Sequence, residues 1–437
     1  MVSLDSAKWY LIAVTPRYVS RIVDRELDLL LPYLPAISLE GAKGVGKTET
    51  ARRRAATTFR LDDPESREIA AADPARLARG VPPILIDEWQ RYPPAYDVVR
   101  RAVDDGAAPG TFLLTGSPPA PGTPVHSGAG RIVVVRMRPL SLAERGVPTS
   151  VGLAALLAGG RAPLSGATDL TLADYVDEIL GSGLPGLRDG PDRVRRSQLD
   201  SYLDRIVERE FPELGYVVRN PAGLRRWLSA YAAASSTTAS AETIRDAAGA
   251  GPRAAPSRTA TGPYRNALER LHVADPVPAW LPTRSRIARL GAAPKHQLAD
   301  PALAARLLGV EREALLEGRG AGPPVPRDGS LLGALFESLV TLGVRVYAQA
   351  AEARVGHLRT HRGDHEIDLI VERGDGKVVA IEVKLGASIA DRDVRHLRWL
   401  REHLGDDLLD ALVVSTGGEA YRRADGIGVV PAALLGP

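Results

Sequence analysis

The chain has 437 residues and a formal net charge of +3. One ordinary hydrophobic core does not accommodate that length, so we expect two to four domains. Apolar residues make up 44% of the chain and charged residues 25%, which is typical of folded rather than disordered protein. Cysteine is absent, which excludes disulfides, zinc–thiolate sites, iron–sulfur clusters and a thiol nucleophile.

The N-terminal segment MVSLDSAKWYLIAVTPRYVSR has no small-residue cleavage site, and no run of about 18 apolar residues occurs. These features predict a cytoplasmic protein without a membrane segment. Six of the 56 basic residues are lysine: Lys8, Lys43, Lys47, Lys295, Lys377 and Lys384. Drift in a GC-rich genome explains the arginine excess more simply than nucleic-acid binding does. In such a chain, lysine at a motif position indicates a need for a compact point charge.

Residues 1–150 alternate short apolar runs with helical stretches. The runs are AISLE, ATTFRLDD, PPILIDEWQ, TFLLTGS and RIVVVRM. Strands separated by helices predict a parallel sheet with crossover helices.

A phosphate-binding loop is predicted directly after the first of these strands. The segment fits the pattern G-x-x-x-x-G-K-[ST] at every position: Gly41, Ala42, Lys43, Gly44, Val45, Gly46, Lys47 and Thr48. Glycines let backbone N–H groups turn towards phosphate oxygens, and the helix that follows favours anions. Lys47 is expected to reach the β- and γ-phosphates of ATP, and Thr48 to place its hydroxyl on Mg²⁺.

The strand Ile84-Leu-Ile-Asp87-Glu88 ends in two adjacent carboxylates about forty residues later. We interpret it as the Walker B strand, in which Asp87 holds Mg²⁺ through water and Glu88 orients or deprotonates the attacking water. The alternative is that the two acids cap a following helix. The preceding phosphate-binding loop favours the first interpretation.

Three further polar residues are candidates for the same site. Thr115 and Ser117 end the strand TFLLTGS and are placed to contact the γ-phosphate or the lytic water; ordinary loop polarity is the alternative. Arg131 is a hypothetical arginine finger, acting across a subunit boundary in a homo-oligomer. A surface salt bridge is its alternative role.

The order GAKGVGKTET, LDDPES, ILIDEWQRYPPAYDVVRRAVD, TFLLTGS and GRIVVVRMRPLSLAE resembles prokaryotic AAA-type ATPases that carry a C-terminal domain of unknown function. The resemblance extends to Gly183-Leu-Pro-Gly186 and to Tyr202–Glu210. It implies ATP binding and says little about biological role.

Residues 151–290 are predicted to be mainly helical after a Gly/Ala/Pro-rich linker near 150–170. Residues 191–290 hold sixteen arginines against ten acidic residues. SAETIRDAAGA, a Gly/Pro turn, a helix with Tyr264, Leu268 and Leu271 on one face, and HVADPVPAWLP together predict a winged helix-turn-helix. Double-stranded DNA is the partner this predicts; packing or oligomerisation is the alternative role.

Residues 291–437 are predicted to form an α/β unit around a hairpin. Its strands contain His365-Glu366-Ile-Asp368 and Ile381-Glu382-Val-Lys384. A turn centred on Asp375 makes paired residue numbers sum to 750, which places Asp368 opposite Glu382 and Glu366 opposite Lys384. All four side chains would then share one face.

This layout resembles the PD-(D/E)xK nuclease fold, also called restriction-endonuclease-like. The resemblance implies that Asp368 and Glu382 bind Mg²⁺ and that Lys384 assists the attacking water. Glu337, on the preceding helix, would stand in for the additional helix-borne acid of that fold. The leading Pro-Asp is missing, because Asp368 follows Ile367. A half-exposed hairpin with cross-strand salt bridges is the alternative.

The sequence therefore predicts an α/β protein with an N-terminal P-loop NTPase sheet, a middle helical and winged-helix part, and a restriction-endonuclease-like C-terminal domain. Its preferred function is Mg²⁺-dependent ATP hydrolysis that controls DNA binding and DNA cleavage. The competing function is an ATP-dependent switch whose C-terminal domain binds a partner without catalysis. A transcriptional regulator acting through the winged helix is a third class.

Overall fold

The computed structural model describes residues 18–117, 128–249, 256–282, 292–318, 329–360 and 363–437. The helices are α1 (Ile22–Leu30), α2 (Lys47–Arg52), α3 (Pro64–Ala72), α4 (Pro94–Asp104), α5 (Leu153–Ala158), α6 (Leu172–Leu180), α7 (Pro185–Arg188), α8 (Asp192–Arg205), α9 (Phe211–Glu213), α10 (Pro221–Ala233), α11 (Ala241–Ala247), α12 (Arg258–Arg270), α13 (Pro301–Leu307), α14 (Arg312–Glu317), α15 (Ser330–Ala350) and α16 (Arg395–Leu404).

The strands are β1 (Ala36–Glu40), β2 (Thr57–Arg60), β3 (Ile84–Asp87), β4 (Phe112–Thr115), β5 (Val133–Arg136), β6 (Val151–Gly152), β7 (Arg354–Arg359), β8 (Glu366–Glu372), β9 (Val378–Lys384), β10 (Leu408–Ser415), β11 (Tyr421–Arg422), β12 (Gly428–Pro431) and β13 (Leu435–Gly436). The N-terminal segment singled out above lies outside the described residues as far as residue 17, and so does the Gly/Pro turn of the predicted winged helix at 250–255.

The predicted N-terminal sheet is confirmed. Its five strands are all parallel and follow the order β2-β3-β4-β1-β5. β1, β3 and β4 are almost fully buried because their runs of Ile, Leu and Phe face helices on both sides. The carboxyl ends of β1, β4 and β3 are therefore neighbours at one edge, where the phosphate-binding loop begins.

The C-terminal sheet has six strands in the order β11-β12-β10-β9-β8-β7. β7, β8 and β9 form an antiparallel meander, whereas β9, β10 and β12 run parallel. Leu369 pairs with Ile381 and Glu372 with Val378, so the predicted hairpin register, with numbers summing to 750, is confirmed. α15 packs on one face of this sheet and α16 on the other.

Two connections outside the sheets affect the site. Residues 274–277 pair in antiparallel fashion with residues 295–298, through the bridges Ala274 to Leu298 and Val277 to Lys295; we call this pair of segments the ribbon. The ribbon and α13 pack with the middle helices α6, α8 and α10. β6 pairs in parallel with β13, so residues 151–152 join the C-terminal part.

α15 is long and apolar enough to cross a membrane by length and composition alone. However, 67% of its most apolar 18-residue window is buried inside the protein. Leu335, Phe336 and Leu339 pack against the C-terminal sheet and the middle helices. Its packing as a core helix accounts for its composition.

Candidate functional site

The phosphate-binding loop links β1 to α2, as predicted. A Cβ on Gly41 would lie 2.1 Å from the carbonyl oxygen of Met137, so only glycine fits there. Gly46 starts the helix in a left-handed conformation, with φ of +99°, which favours glycine because a side chain is strained at positive φ. These glycines give the loop the tight turn that a phosphate cradle requires.

Lys47 lies inside this loop and is only 7% exposed. Its Nζ donates to the carbonyl oxygens of Gly41 at 2.8 Å and Ala42 at 3.0 Å. Burial lowers the pKa of Lys47 to about 8, although the nearby Glu88 carboxylate acts in the opposite direction. A phosphate group in the loop would favour the charged ammonium.

Asp87, the last residue of β3, lies where the ends of β3 and β4 meet the start of α2. It is 4% exposed, and its Oδ1 accepts hydrogen bonds from the hydroxyls of Thr48, at 2.8 Å, and of Thr115. Oxygen ligands of this kind suit Mg²⁺. The structure therefore brings together Thr48 and Asp87, the predicted Mg²⁺ ligands, and places Thr115 on Asp87.

Glu88 follows Asp87 in a left-handed backbone conformation, with φ of +54°. Such a conformation is strained for a non-glycine residue and is concentrated at functional sites. The Oε2 atom of Glu88 accepts a hydrogen bond from Gln90 Nε2 at 2.7 Å. The chain therefore leaves the strand direction at Glu88, immediately after Asp87.

A cavity of about 210 Å³ adjoins the loop beside Lys43, Gly44 and Ser117. Its other wall comes from the middle part and includes Arg205 and Glu210. The segment Ile206–Glu210 is a π-helical turn, a local irregularity common at functional sites.

The middle part also bonds directly to the loop. Glu210 pairs with Lys43 Nζ at 2.6 Å, and the hydroxyl of Tyr202 donates to the carbonyl oxygen of Lys43 at 3.1 Å. These contacts, and the place of Arg205 beside the loop, were not predicted from the sequence. The match at Tyr202–Glu210 was the only signal that pointed towards them.

Arg21 is a second residue that the sequence analysis missed. Arg21 is 5% exposed, and its guanidinium donates to the carbonyl oxygens of Val45, at 2.7 Å, and Arg138, at 2.6 Å. It also pairs with Glu144 at 2.9 Å. Arg21 therefore fixes the backbone of the phosphate-binding loop against the segment after β5.

Arg131 lies at the opposite end of the sheet. It precedes β5, whose first residue pairs with Ile37 near the start of β1, whereas the loop follows the end of β1. The Arg131 guanidinium is 44% exposed and pairs with Asp104 at 2.7 Å. Arg131 is thus a surface ion-pair residue in its own chain, and the finger hypothesis stays a prediction for a neighbouring subunit only.

The C-terminal candidates form a second cluster on α15, β8 and β9. Asp368 Oδ2 accepts from the backbone N–H of Val383 at 2.8 Å, and Lys384 Nζ bonds to Glu382 Oε1 at 2.6 Å. Glu337 projects from α15 towards the same place. We call Glu337, Asp368 and Glu382 the carboxylate cluster.

An unpredicted residue, Lys295 of the ribbon, enters the carboxylate cluster. Its Nζ bonds to Glu337 Oε1 at 2.9 Å and Asp368 Oδ1 at 3.0 Å, and it lies 3.8 Å from Glu366 Oε1. Its side chain is 1% exposed. Among the residues that the structure describes, no group of three or more His, Asp or Glu side chains is arranged to hold a metal ion.

The electrostatics of the carboxylate cluster follow from burial. Burial and the Asp368 charge raise the pKa of both Glu337 and Glu382 to about 8. Burial acts against ionisation of Asp368 too, but Lys295 and Lys384 outweigh it and lower its pKa. Burial acts to lower the pKa of Lys295, but Asp368 and Glu337 outweigh it and raise the pKa, so its ammonium stays charged.

Comparison with known proteins supports the first site. Residues 34–145 match the family model described as an AAA domain. This match supports an AAA-type P-loop ATPase family for the N-terminal part, and with it ATP binding. Residues 172–314 and 332–435 match two models described as domains of unknown function, DUF8612 and DUF4143.

Curated relatives include two uncharacterized proteins, from Mycobacterium bovis and Mycobacterium tuberculosis. Each is 27% identical over an alignment of 435 positions, which covers 96% of this chain and 86% of the relative. Solved structures that are similar include a Walker-type ATPase of Pyrococcus abyssi, with a TM-score of 0.37 and 14% identity over 65% of this chain and 94% of that one. The ORC2 protein of Aeropyrum pernix gives a TM-score of 0.26 and 13% identity over 66% and 90%.

Proposed function

We propose that the chain is a Mg²⁺-dependent ATPase, because Lys47, Thr48 and Asp87 converge at one edge of the parallel sheet. Lys47 would pair with the β- and γ-phosphates, and Glu88 would orient the attacking water and accept its proton. Thr48 and Asp87 would hold Mg²⁺, which supplies positive charge to the phosphate oxygens when bound. The oxygen donors and the glycine-lined turn fit this assignment.

Phosphate release from ATP tests the proposal. Lys47→Ala should lower kcat/KM by about 100-fold or more, because a cation aimed at developing charge is lost. Glu88→Gln should retain ATP binding and lower kcat by about 100-fold or more, because the carboxylate base is lost.

Two residues outside the site supply matched controls: Lys377→Ala, at a half-buried position in the turn between β8 and β9, and Glu65→Gln, at an exposed position on α3. Both should hydrolyse ATP like the unmodified chain. Normal hydrolysis by Lys47→Ala, after contaminating ATPases are excluded, would show that the site is misassigned.

We further propose that the state of the bound nucleotide controls a middle part that binds DNA. Helices α10, α11 and α12 followed by the ribbon support a winged helix-turn-helix assignment. The arginine surplus of residues 191–290 supports phosphate attraction. Contacts of Tyr202 and Glu210 with Lys43 offer a physical route from nucleotide to this part.

For the C-terminal part, DNA cleavage and partner binding remain in competition. The order α15-β7-β8-β9-α16-β10, with acids on α15, β8 and β9, supports the nuclease-like assignment of Glu337, Asp368, Glu382 and Lys384. The ammonium of Lys295 in the carboxylate cluster favours the second reading, a switch whose C-terminal part binds a partner without cleaving it.

Plasmid and linear DNA incubated with Mg²⁺, with and without ATP, separate these functions. Cleavage that is lost in Asp368→Ala and altered in Lys47→Ala would establish an ATP-controlled nuclease. DNA that migrates more slowly in a gel with the protein, but is not cleaved, would favour a transcriptional regulator. ATP hydrolysis with neither DNA effect would favour the switch and a protein partner.

A further inference from the structure

Lys295 has the position and the partners of a bound cation. Its Nζ lies between Glu337 Oε1 and Asp368 Oδ1, at 2.9 and 3.0 Å, and the side chain is almost completely buried. It comes from the ribbon, 42 residues before Glu337 in the chain, and not from the helix and strands that carry the carboxylates. We propose that Lys295 is an internal cation that closes the carboxylate cluster and competes with a divalent metal ion for it.

The charges of the carboxylate cluster support this inference. Three carboxylates, on Glu337, Asp368 and Glu382, face two ammoniums, on Lys295 and Lys384. A divalent cation in place of Lys295 would bring one more positive charge to these carboxylates and to the Glu366 carboxylate, whose Oε1 lies 3.8 Å from Lys295 Nζ. Buried carboxylates are stabilised by opposite charge, so a divalent ion would interact with them more strongly than the single charge of Lys295 does.

An unsatisfied oxygen points the same way. The side chain of Glu382 is only 8% exposed, and its Oε1 accepts a hydrogen bond from Lys384. Its Oε2 is buried and has no hydrogen-bond partner among the described residues. A buried carboxylate oxygen without a donor is a strong ligand for a cation, and Lys295 does not reach it.

The ribbon holds Lys295 in place through its backbone. Lys295 and Val277 exchange both backbone hydrogen bonds, each 2.9 Å long, and His296 N–H donates to the carbonyl oxygen of Thr237 at 2.8 Å. The side chain is therefore presented by a pre-ordered strand, and a metal ion can enter only when the ammonium leaves. We expect weak divalent binding in the unmodified chain.

The test is a Mn²⁺ titration of the nucleotide-free full chain, followed by electron paramagnetic resonance of free Mn²⁺. Lys295→Met removes the charge and keeps the volume, and it should bind one Mn²⁺ at least about tenfold more tightly than the unmodified chain. Lys295→Arg, which keeps the positive charge, should behave like the unmodified chain. Adding Asp368→Asn to Lys295→Met should abolish the gain.

A second variant distinguishes the loss of the lysine charge from a loss of folding. Lys295→Gln removes the charge while its amide still donates to the carboxylates, and it should show the same gain. The melting temperature of either variant should rise with Mn²⁺, because the ion binds only the folded state. Equal Mn²⁺ affinity of the unmodified chain and both folded variants, or no binding by any of them, would overturn the inference.

The inference rests on the C-terminal metal site of the proposed function. Because no nucleotide is present in the titration, a failure of ATP hydrolysis leaves its outcome unaffected. Conversely, absent Mn²⁺ binding would leave the ATPase assignment intact.

Discussion

Asp275 is the residue whose loss we expect to destabilise the molecule most clearly. It is 8% exposed and pairs with Arg138 at 2.8 Å, Arg345 at 3.2 Å and Arg136 at 3.3 Å. Arg136 lies in β5, Arg138 follows β5, and Arg345 lies on α15. One carboxylate of the ribbon therefore joins the ATPase part to the C-terminal part.

Asp275→Asn would leave three largely buried guanidiniums without their counterion. Burial acts to raise the pKa of Asp275, but Arg345, Arg138 and Arg136 outweigh it and hold it well below its usual range. Removing one partner of a buried ion pair costs about 3–5 kcal/mol, because the remaining charge is buried and unpaired. We expect a loss of that size in the free energy of unfolding.

Urea unfolding followed by tryptophan fluorescence measures this loss, with the slope compared between variants to check that the same surface is exposed. Asp246→Asn is the matched control, because Asp246 pairs with Arg245 at the surface and is 62% exposed. Surface pairs contribute about 0–1 kcal/mol. A loss below about 1 kcal/mol for Asp275→Asn would refute the view that this carboxylate holds the parts together.

Two further predictions concern the loop and the pH dependence of stability. Gly41→Ala should weaken binding of a fluorescent ATP analogue about tenfold or more, because its Cβ would meet the Met137 carbonyl oxygen; backbone strain of this kind costs about 1–3 kcal/mol. Gly186→Ala, which has no heavy atom within 4 Å, is the control, and equal affinities would contradict the steric argument. Burial lowers the pKa of His357 to about 4, below its ordinary value, so the unfolded chain takes up the proton first as pH falls. Its contribution to stability, present above about pH 6.5, should fall by about 2 kcal/mol between pH 7.5 and pH 5. His357→Gln should remove that part of the pH dependence of the free energy of unfolding, measured by urea titration at both pH values. If the pH dependence of the free energy of unfolding is the same in His357→Gln, His357 is not its cause.

The parts of the fold that local pattern determines were predictable. Apolar runs flanked by turn residues predicted the five strands of the N-terminal sheet, and the turn around Asp375 predicted the register of β8 with β9. Both depend on residues close together in the chain. The glycine and lysine spacing of the phosphate-binding loop predicted its place between β1 and α2 for the same reason.

The contacts that join distant segments were not predictable. Lys295 precedes Glu337 by 42 residues and Asp368 by 73, and no spacing rule connects them. Its only signal was that it is a lysine in a chain where arginine is the usual cation. Asp275 gave no signal, because a lone aspartate between apolar residues looks like any loop residue until three arginines from elsewhere surround it.

The pairing of β6 with β13 also has a consequence for synthesis on the ribosome. Residues 151–152 leave the ribosome nearly three hundred residues before their partners at 435–436, which corresponds to about 15–60 s at 5–20 residues per second. During that interval the edge of β6 has no native partner. Until β13 is made, this unpaired edge is open to pairing with a strand of a neighbouring polypeptide.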